Sequence, residues 1–515
     1  MTTHRRDFLR YSAALSIAAL LPQRVIAQPR FETNPFTLGV ASGLPQPEQI
    51  VLWTRLAPDP LNGGGMPNAA VNVGWEIASD EQFRNIVDRG EVLATPQSAH
   101  AVHVTARRLL PFRWYWYRFM AGDAISTIGR TRTAPAANDM VSTLQLALAS
   151  CQHYEHGYFS AYRDMLQHPI DCFIHVGDYI YESSWGRNGV RSHHSKEPYT
   201  LNDYRNRYAQ YRLDPQLQAA HAACPWLVIW DDHEVDNDYA NDRSQDLDPP
   251  AAFLRRRAAA YQAYYEHMPL APQQYQGGPN LKIYGAHQFG QLAQIQLLDM
   301  RQYRDYHVCS RPGRGGGNQV DINDCPERLQ PGRSLLGATQ EQWLTQSLSQ
   351  SSARWNVIAQ TTLVAQSNRA TTQGRAIYTD GWDGYPLARE KLLNTITQTQ
   401  IRNPIVIGGD VHMAVASDLK IDFENPRSAV IASEFVTSSI TAYGPSQRRT
   451  EALVANNPHI HFANGTQRGY TQFTITPKQW ETRYRAVTNP RDPQSEAYEL
   501  ARYTVVDGRA GPQRG

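Results

Sequence analysis

Four short polar motifs carry the residues of this chain that could do chemistry. They are Ala149-Ser150-Cys151-Gln152, Gly177-Asp178-Tyr179-Ile180-Tyr181, Asp231-Asp232-His233-Glu234-Val235-Asp236-Asn237 and Gly408-Gly409-Asp410-Val411-His412. Together they offer a thiolate, carboxylates, a phenol, an amide and imidazoles, a donor set suited to metal ions. Asp178 is the pivot, because a carboxylate just after a Gly can bridge two cations with its two oxygens. Tyr181 follows closely enough to bind one of the same ions as a phenolate, and Cys151 supplies that ion with a thiolate. Thiolate, phenolate and carboxylate together favour a highly charged, redox-capable ion such as ferric iron. Asp232, Asn237, Asp410 and His412 serve the rest, and oxygen-rich ligands on a second ion suit calcium, magnesium or manganese. Two cations about 3.5–4 Å apart generate hydroxide and neutralise a transferring phosphoryl group. His233 or His412 is then placed to protonate the leaving oxygen or to orient substrate.

The elements that must position these groups are legible beside them. Each motif ends an apolar run: Leu144 to Ala149, Cys172 to Val176, Trp226 to Trp230 and Pro404 to Ile407. Such runs, bounded by Gly or Asp, read as buried strands. Ligands of α/β sheets gather beyond the carboxyl ends of strands, so the motifs are expected on one rim. Each motif alone has a plainer reading. Gly-Asp is a common turn, Cys151 a small buried hydrophobe, Asp231-Asp232-His233 a helix N-cap, and Asp410 with His412 a hydrogen-bonded loop pair. Recurrence at four strand ends is what argues for a site.

The chain has 515 residues, 41% hydrophobic and 19% charged, enough for a large core and more than one domain. A formal net charge of +2 gives no footing for a nucleic-acid binder. No internal stretch is long and apolar enough to span a bilayer. Ile50 to Arg55, Val71 to Ile77, His100 to Leu109 and Trp114 to Ala121 alternate apolar and polar residues between Pro-, Gly- and Asn-rich turns, the pattern of a β-sandwich. Thr131 to Asp139 reads as a linker. From Met140 apolar strands alternate with helical stretches (Tyr158 to Gln167, Pro250 to Tyr265, Thr339 to Gln350, Leu387 to Gln398). Lys282 to Asp299 reads as a hairpin, Tyr470 to Val487 as further β-structure, and Val505 to Gly515 as frayed. The expected fold is α/β (α+β), a two-sheet sandwich flanked by helices, with an N-terminal immunoglobulin/fibronectin-like β-sandwich.

The first residues read as a signal. Arg5-Arg6-Asp7-Phe8-Leu9-Arg10, an apolar run from Tyr11 to Leu21 and Val25-Ile26-Ala27 follow the order of a bacterial twin-arginine export peptide. The expected division is therefore 1–27 signal, 28–139 N-terminal sandwich and linker, and 140–515 catalytic domain. The location is periplasmic or secreted, with the twin-arginine export machinery as partner. Five cysteines leave at least one unpaired in an oxidising compartment. Cys309 and Cys325 flank a Gly-rich loop, Arg311 to Asn318, and form the expected disulfide. Cys172 and Cys224 start core strands, buried or paired with each other, and Cys151 lies where a ligand belongs.

The order ASCQ, GDYIYE, WDDHEVDN and GGDVH resembles the PhoD-like alkaline phosphatases, within the calcineurin-like metallophosphoesterase superfamily. The segments Leu298 to Arg304, Asp380 to Tyr385, Glu434-Phe435-Val436 and Gln467 to Tyr470 extend the resemblance over nearly the whole chain. It implies ferric iron and calcium as cofactors. Cys151, Asp178, Tyr181 and Asp410 match the positions around iron, and Asp178, Asn237 and His412 those around calcium. Asp232 occupies the place of a metal-binding asparagine, and His233 that of a substrate-facing histidine. One departure is Asp238, where a second Asn is expected; it either tightens the calcium site or faces water. Arg301 and Arg304 either fork onto substrate phosphate or pair structurally with Asp299, and Trp382, Asp383 and Tyr385 either line the pocket or, the favoured reading, brace a loop.

The expected activity is that of an exported phosphatase and phosphodiesterase, acting on phosphate mono- and diesters through metal-activated hydroxide with Asp178, His233 and His412 at the reacting centre. A phospholipase D-like phosphodiesterase on the same scaffold is the near alternative, separated by turnover of a monoester, a bis-ester and phosphatidylcholine. A non-catalytic periplasmic binding protein would have lost Cys151, Asp178 or His412, which are all present. An oxidoreductase finds no flavin, haem or nicotinamide motif.

Overall fold

The computed structural model describes residues 30–185 and 188–515. The expected export signal at 1–27 lies outside the described residues. Two large mixed sheets carry the fold. In the ten-stranded sheet the strands Leu144–Ala149, Cys172–Val176 and Trp226–Ile229 run parallel side by side. On the far flank of Leu144–Ala149 lies the antiparallel strand Arg468–Ile475, with Leu148 opposite Thr471. The seven-stranded sheet places Pro404–Gly408 between Trp355–Ala359 and Val430–Val436, all parallel.

The sheets face each other across one core. Leu144, Leu146 and Leu148 of the first join Ile295, Val357, Ile405, Ile407 and Phe435 of the second in a single buried cluster. Because both faces of these strands are covered, they are buried along most of their length and mostly apolar rather than alternating, with polar exceptions such as Gln145, His175, Asn356 and Glu434. Four helices, Ser160–Met165, Leu201–Arg212, Pro215–Ala223 and Pro250–His267, accompany the first sheet, and their tyrosines Tyr162, Tyr204, Tyr208, Tyr261 and Tyr264 enter the same cluster. Ala338–Ser349 and Pro386–Gln398 cover the second sheet, packing Leu344, Leu348, Leu392, Leu393 and Ile396 against Ile358 and Val406.

The N-terminal region forms two layers, as its alternation predicts. Val71, Val73, Trp75 and Ile77 face Val40, Ile50, Leu52, Val102 and Val104 in one core. The expectation of a separate sandwich needs one correction. The layer of Val40–Gly43, Ile50–Arg55 and Ala101–Ala106 is not closed on itself; Gly43 pairs with Trp226, so this layer continues the ten-stranded sheet. An unpaired strand edge beside an apolar sheet is better covered than left to solvent. The C-terminus also departs from expectation. Arg509–Arg514 is a strand paired antiparallel with Ala497–Val506, not a frayed end.

Cys309 and Cys325 form a disulfide, while Cys151, Cys172 and Cys224 are free and buried, so Cys172 and Cys224 do not pair.

Candidate metal centre

Three of the four motifs leave adjacent parallel strands of one sheet; the fourth leaves the opposing sheet. The rim is thus shared by two sheets, not one. Main-chain bonds close the gap between them, from Ile440 N to Ser150 O (3.0 Å) and from Ala442 N to Cys151 O (3.2 Å). At each exit the chain turns sharply. Cys151, Asp178, Asp410 and His412 all have left-handed backbone, with φ of 57°, 56°, 58° and 54°. That region is unfavourable for side-chain-bearing residues and clusters at functional sites. Gly177 (φ 97°) has no room for a side chain, since a Cβ would meet Asp231 Cβ at 2.5 Å.

The turns bring the expected donors together. Ligand atoms of Cys151, Asp178 and His412 lie within 4.8 Å of one another, and so do those of Asp178, Asp232 and His233. Asp178 belongs to both groups. Tyr181 joins the first, its hydroxyl donating to Asp178 Oδ2 at 2.8 Å and lying 3.2 Å from His412 Nε2. His412 donates from Nδ1 to the Tyr443 carbonyl at 2.6 Å, which leaves Nε2 a free lone pair toward the site. Asp410 accepts from Thr362 Oγ1 at 2.7 Å. The resemblance sets His412 with Asp178 and Asn237, and His412 lies with Asp178 and Cys151 in the first of these groups. Asn237 binds through its surroundings, with Nδ2 on Gln245 Oε1 (3.0 Å) and its main-chain N–H on Glu182 Oε1 (3.2 Å).

Electrostatics mark the same place. Burial, then Asp178, pushes the Cys151 thiol well up. Burial, Asp178 and Cys151 do the same to the Tyr181 phenol. Burial and the neighbouring Asp232 and Asp231 raise Asp178 well above the carboxylate range, although His233 opposes them. Asp410 is raised by burial, Asp231 and Asp380. Asp178 Oδ1 is buried without a hydrogen-bond partner, a position that is costly unless a cation takes it. Three buried acids and the half-buried Asp410, all resisting ionisation beside one orphaned oxygen, fit a cation centre.

Several residues with no assigned role in the sequence reading complete the site. Glu182 Oε2 receives His233 Nδ1–H at 2.7 Å. Burial works against protonation of His233, but Glu182, Asp232 and Asp178 raise its pKa well above the ordinary imidazole value. Glu234 accepts the main-chain N–H groups of Asp178 (3.1 Å), Tyr179 (2.6 Å) and Asp231 (2.8 Å), clamping two turns with one carboxylate. Arg468 is buried and has no carboxylate partner among the described residues; it donates to Ser439 Oγ and to the carbonyls of Ala442, His412 and Gly465. The signal available was weak: a Glu inside two of the motifs, and an Arg in a segment known only by resemblance.

Arg301 and Arg304 are buried behind the site. Arg301 forks onto both oxygens of Asp380 (2.7 and 2.9 Å) and donates to Asp231. Arg304 donates to Asp380 Oδ1 at 3.2 Å and to its carbonyl. Asp299 is not their partner; it accepts the main-chain N–H groups of Arg301 (2.9 Å) and Gln302 (3.0 Å) and the Trp230 indole (3.1 Å). Asp238 does not face water. Its carboxylate accepts Gly317 N–H (2.9 Å) and Tyr378 OH (3.0 Å), docking the disulfide-closed loop, while its own N–H donates to Asp232 Oδ2 (2.7 Å). The expected bracing by Asp383 is visible in its bonds to Ser367 and Arg389.

The chain is similar to known proteins over nearly its whole length. The sequence model of the PhoD-like phosphatase family matches residues 146–484, and that of the PhoD-like phosphatase N-terminal domain matches residues 21–135. The chain is 46% identical to alkaline phosphatase D of Bacillus subtilis (strain 168), covering 99% of this chain and 89% of that protein. The solved structure of PhoD superposes with a TM-score of 0.90 at 45% identity, covering 94% of this chain and 93% of that one.

Proposed function

The chain belongs to the PhoD-like phosphatase family and is a phosphoric ester hydrolase, and from that premise we propose that it is an exported iron–calcium enzyme acting on phosphate mono- and diesters. The observation that carries this reading is Asp178, shared by two donor groups with one oxygen left without a partner. Cys151, Tyr181 and Asp410 with Asp178 supply the soft and anionic donors that suit ferric iron. Asp178, Asp232, Asn237 and His412 supply the harder set for calcium. When bound, the cations supply an activated hydroxide and neutralise the charge of the phosphoryl group.

The chain's own residues do the rest. His233, held by Glu182 at 2.7 Å, keeps its proton on the Nε2 side and delivers it to the leaving oxygen. Glu234 fixes the two turns that bear Asp178 and Asp232. Arg301, through Asp231 and Asp380, holds the carboxylates behind the site in register. The export assignment rests on residues 5–27, and among the described residues no helix is long and apolar enough to cross a membrane. The test is metal analysis of active protein recovered from its own export route. Iron and calcium are expected; fully active protein holding zinc alone sinks the assignment, as does activity that survives exhaustive calcium chelation.

A further inference from the structure

Two aromatic side chains at the metal centre have no part in holding cations. Trp185 stands edge-on to His233 (ring centroids 4.6 Å apart, 73° between planes) and to Tyr181 (5.5 Å, 80°). Its indole N–H donates to Ser183 Oγ at 2.9 Å, and that hydroxyl donates to Glu182 Oε1 at 3.1 Å, the carboxylate that also holds His233. Tyr443 gives its carbonyl to His412 Nδ1, yet the residue is 45% exposed. Exposed rings ordinarily turn freely. This one stacks on His156 at 3.8 Å, donates its hydroxyl to Asn188 O at 3.2 Å, and has Arg491 Nη1 at 3.4 Å from its oxygen.

One buried imidazole ties the two together. His156, 1% exposed, donates from Nε2 to the Trp185 carbonyl at 2.6 Å and accepts at Nδ1 from Tyr443 N at 3.3 Å. Both ring nitrogens are thus spent on these two residues. It also stacks on His153 (3.8 Å, 7°), whose ring leans on Tyr181 at 4.3 Å. A rigidly held aromatic surface beside a phosphoryl site is built for contact, because ordering side chains in advance removes an entropy cost from binding. A leaving group that takes its proton from His233 emerges next to the Trp185 ring.

We propose that Trp185 and Tyr443 are specificity-determining residues, forming an aromatic wall that receives the organic group of the ester, and that His156 is the positioning residue that sets both. The class of ester favoured is one with a planar, apolar group on the alcohol side. This inference rests on the phosphoesterase reading above.

The test uses the metal-loaded full chain and two monoesters, benzyl phosphate and ethyl phosphate, whose alcohols are of similar acidity, so that the ratio of their kcat/KM values reports the wall and not leaving-group chemistry. Trp185→Ala should lower kcat/KM for benzyl phosphate about tenfold, mainly through KM, as expected for loss of an aromatic contact, with ethyl phosphate held within about twofold. Tyr443→Ala should act in the same direction. His156→Leu should reduce the benzyl preference with metal content unchanged, and His156→Gln, which keeps a donor and an acceptor, should recover part of it. If Trp185→Ala fails to fold, Trp185→Leu retains apolar packing without the aromatic face and must show the same fall. An unchanged benzyl-to-ethyl ratio in the Trp185 and Tyr443 variants overturns the wall. Failure of the parent chain to turn over either ester overturns the phosphoesterase reading itself.

Discussion

Replacing Asp178 by Asn should move the metal-free and metal-loaded chains in opposite directions. The carboxylate is buried, its Oδ2 accepts the Tyr181 hydroxyl at 2.8 Å, and its Oδ1 has no partner. Burial, Asp232, Asp231 and Glu234 disfavour its charge. Asn keeps the shape and the acceptor for Tyr181, and removes the charge. Without metal, relieving a buried and partly unpartnered carboxylate should stabilise the chain by about 1–3 kcal/mol. For a protein of this length that is a rise of about 1–3 °C in melting temperature. With metal, the same change removes an anionic oxygen from both donor groups at once. Affinity for the weaker cation should fall on the order of 100-fold or more, and kcat by on the order of 10²–10³. Melting scans with and without chelator, metal content and turnover of a nitrophenyl phosphate measure all three. A variant that melts lower without metal, or that turns over near-normally with both metals bound, refutes the reasoning.

Other outcomes follow from the same geometry. Cys151→Ser should yield a folded chain that has lost iron and the visible charge-transfer band of a thiolate–phenolate centre, read by absorption and elemental analysis; a band of unchanged position would remove Cys151 from the iron. His175 sits in the core with both ring nitrogens unpartnered, and burial lowers its pKa to about 3. The folded chain then binds fewer protons than the unfolded one, so this stability is full above about pH 6.5 and is lost as pH falls toward 3. His175→Phe should therefore flatten the acid loss of stability by a few kcal/mol, measured as urea unfolding of metal-stripped protein between pH 7.5 and 4.5 against the parent; equal slopes would refute it. Replacing Arg5 and Arg6 by Lys should retain the precursor in the cytoplasm, and normal export of that variant would overturn the targeting assignment.

How much was legible depends on whether a property is local. The apolar runs before Cys151, Asp178, Asp231 and Gly408 are local, and they located the strand ends and so the candidate donors that gather there. The division of the rim between two sheets was not, because nothing near Pro404 states which sheet it joins. Partners were the least legible. Asp299 lies two residues from Arg301 and looked like its mate, yet Arg301 reaches Asp380 and Asp231, placed by chain that returns from far away. Glu182 and Glu234 were in plain view within motifs, but their work is to receive N–H groups whose positions only the folded turns define. The terminal strand Arg509–Arg514 was missed because Gly511 and Pro512 weaken its strand pattern; its register comes from the neighbouring strand.

The pairing of Leu144–Ala149 with Arg468–Ile475 bears on when this protein can become itself. The strand that delivers Cys151 has a neighbour made much later in synthesis, and the outer N-terminal layer waits for Trp226 before it is continuous. A growing chain therefore holds exposed strand edges for most of its time on the ribosome, and contacts so distant in sequence form slowly. Translocation as an unfolded thread would postpone that closure to the far side of the membrane. Under the export route proposed from residues 5–27, which accepts finished structures, the order would be reversed: the sheet would close first and the signal would be read afterwards.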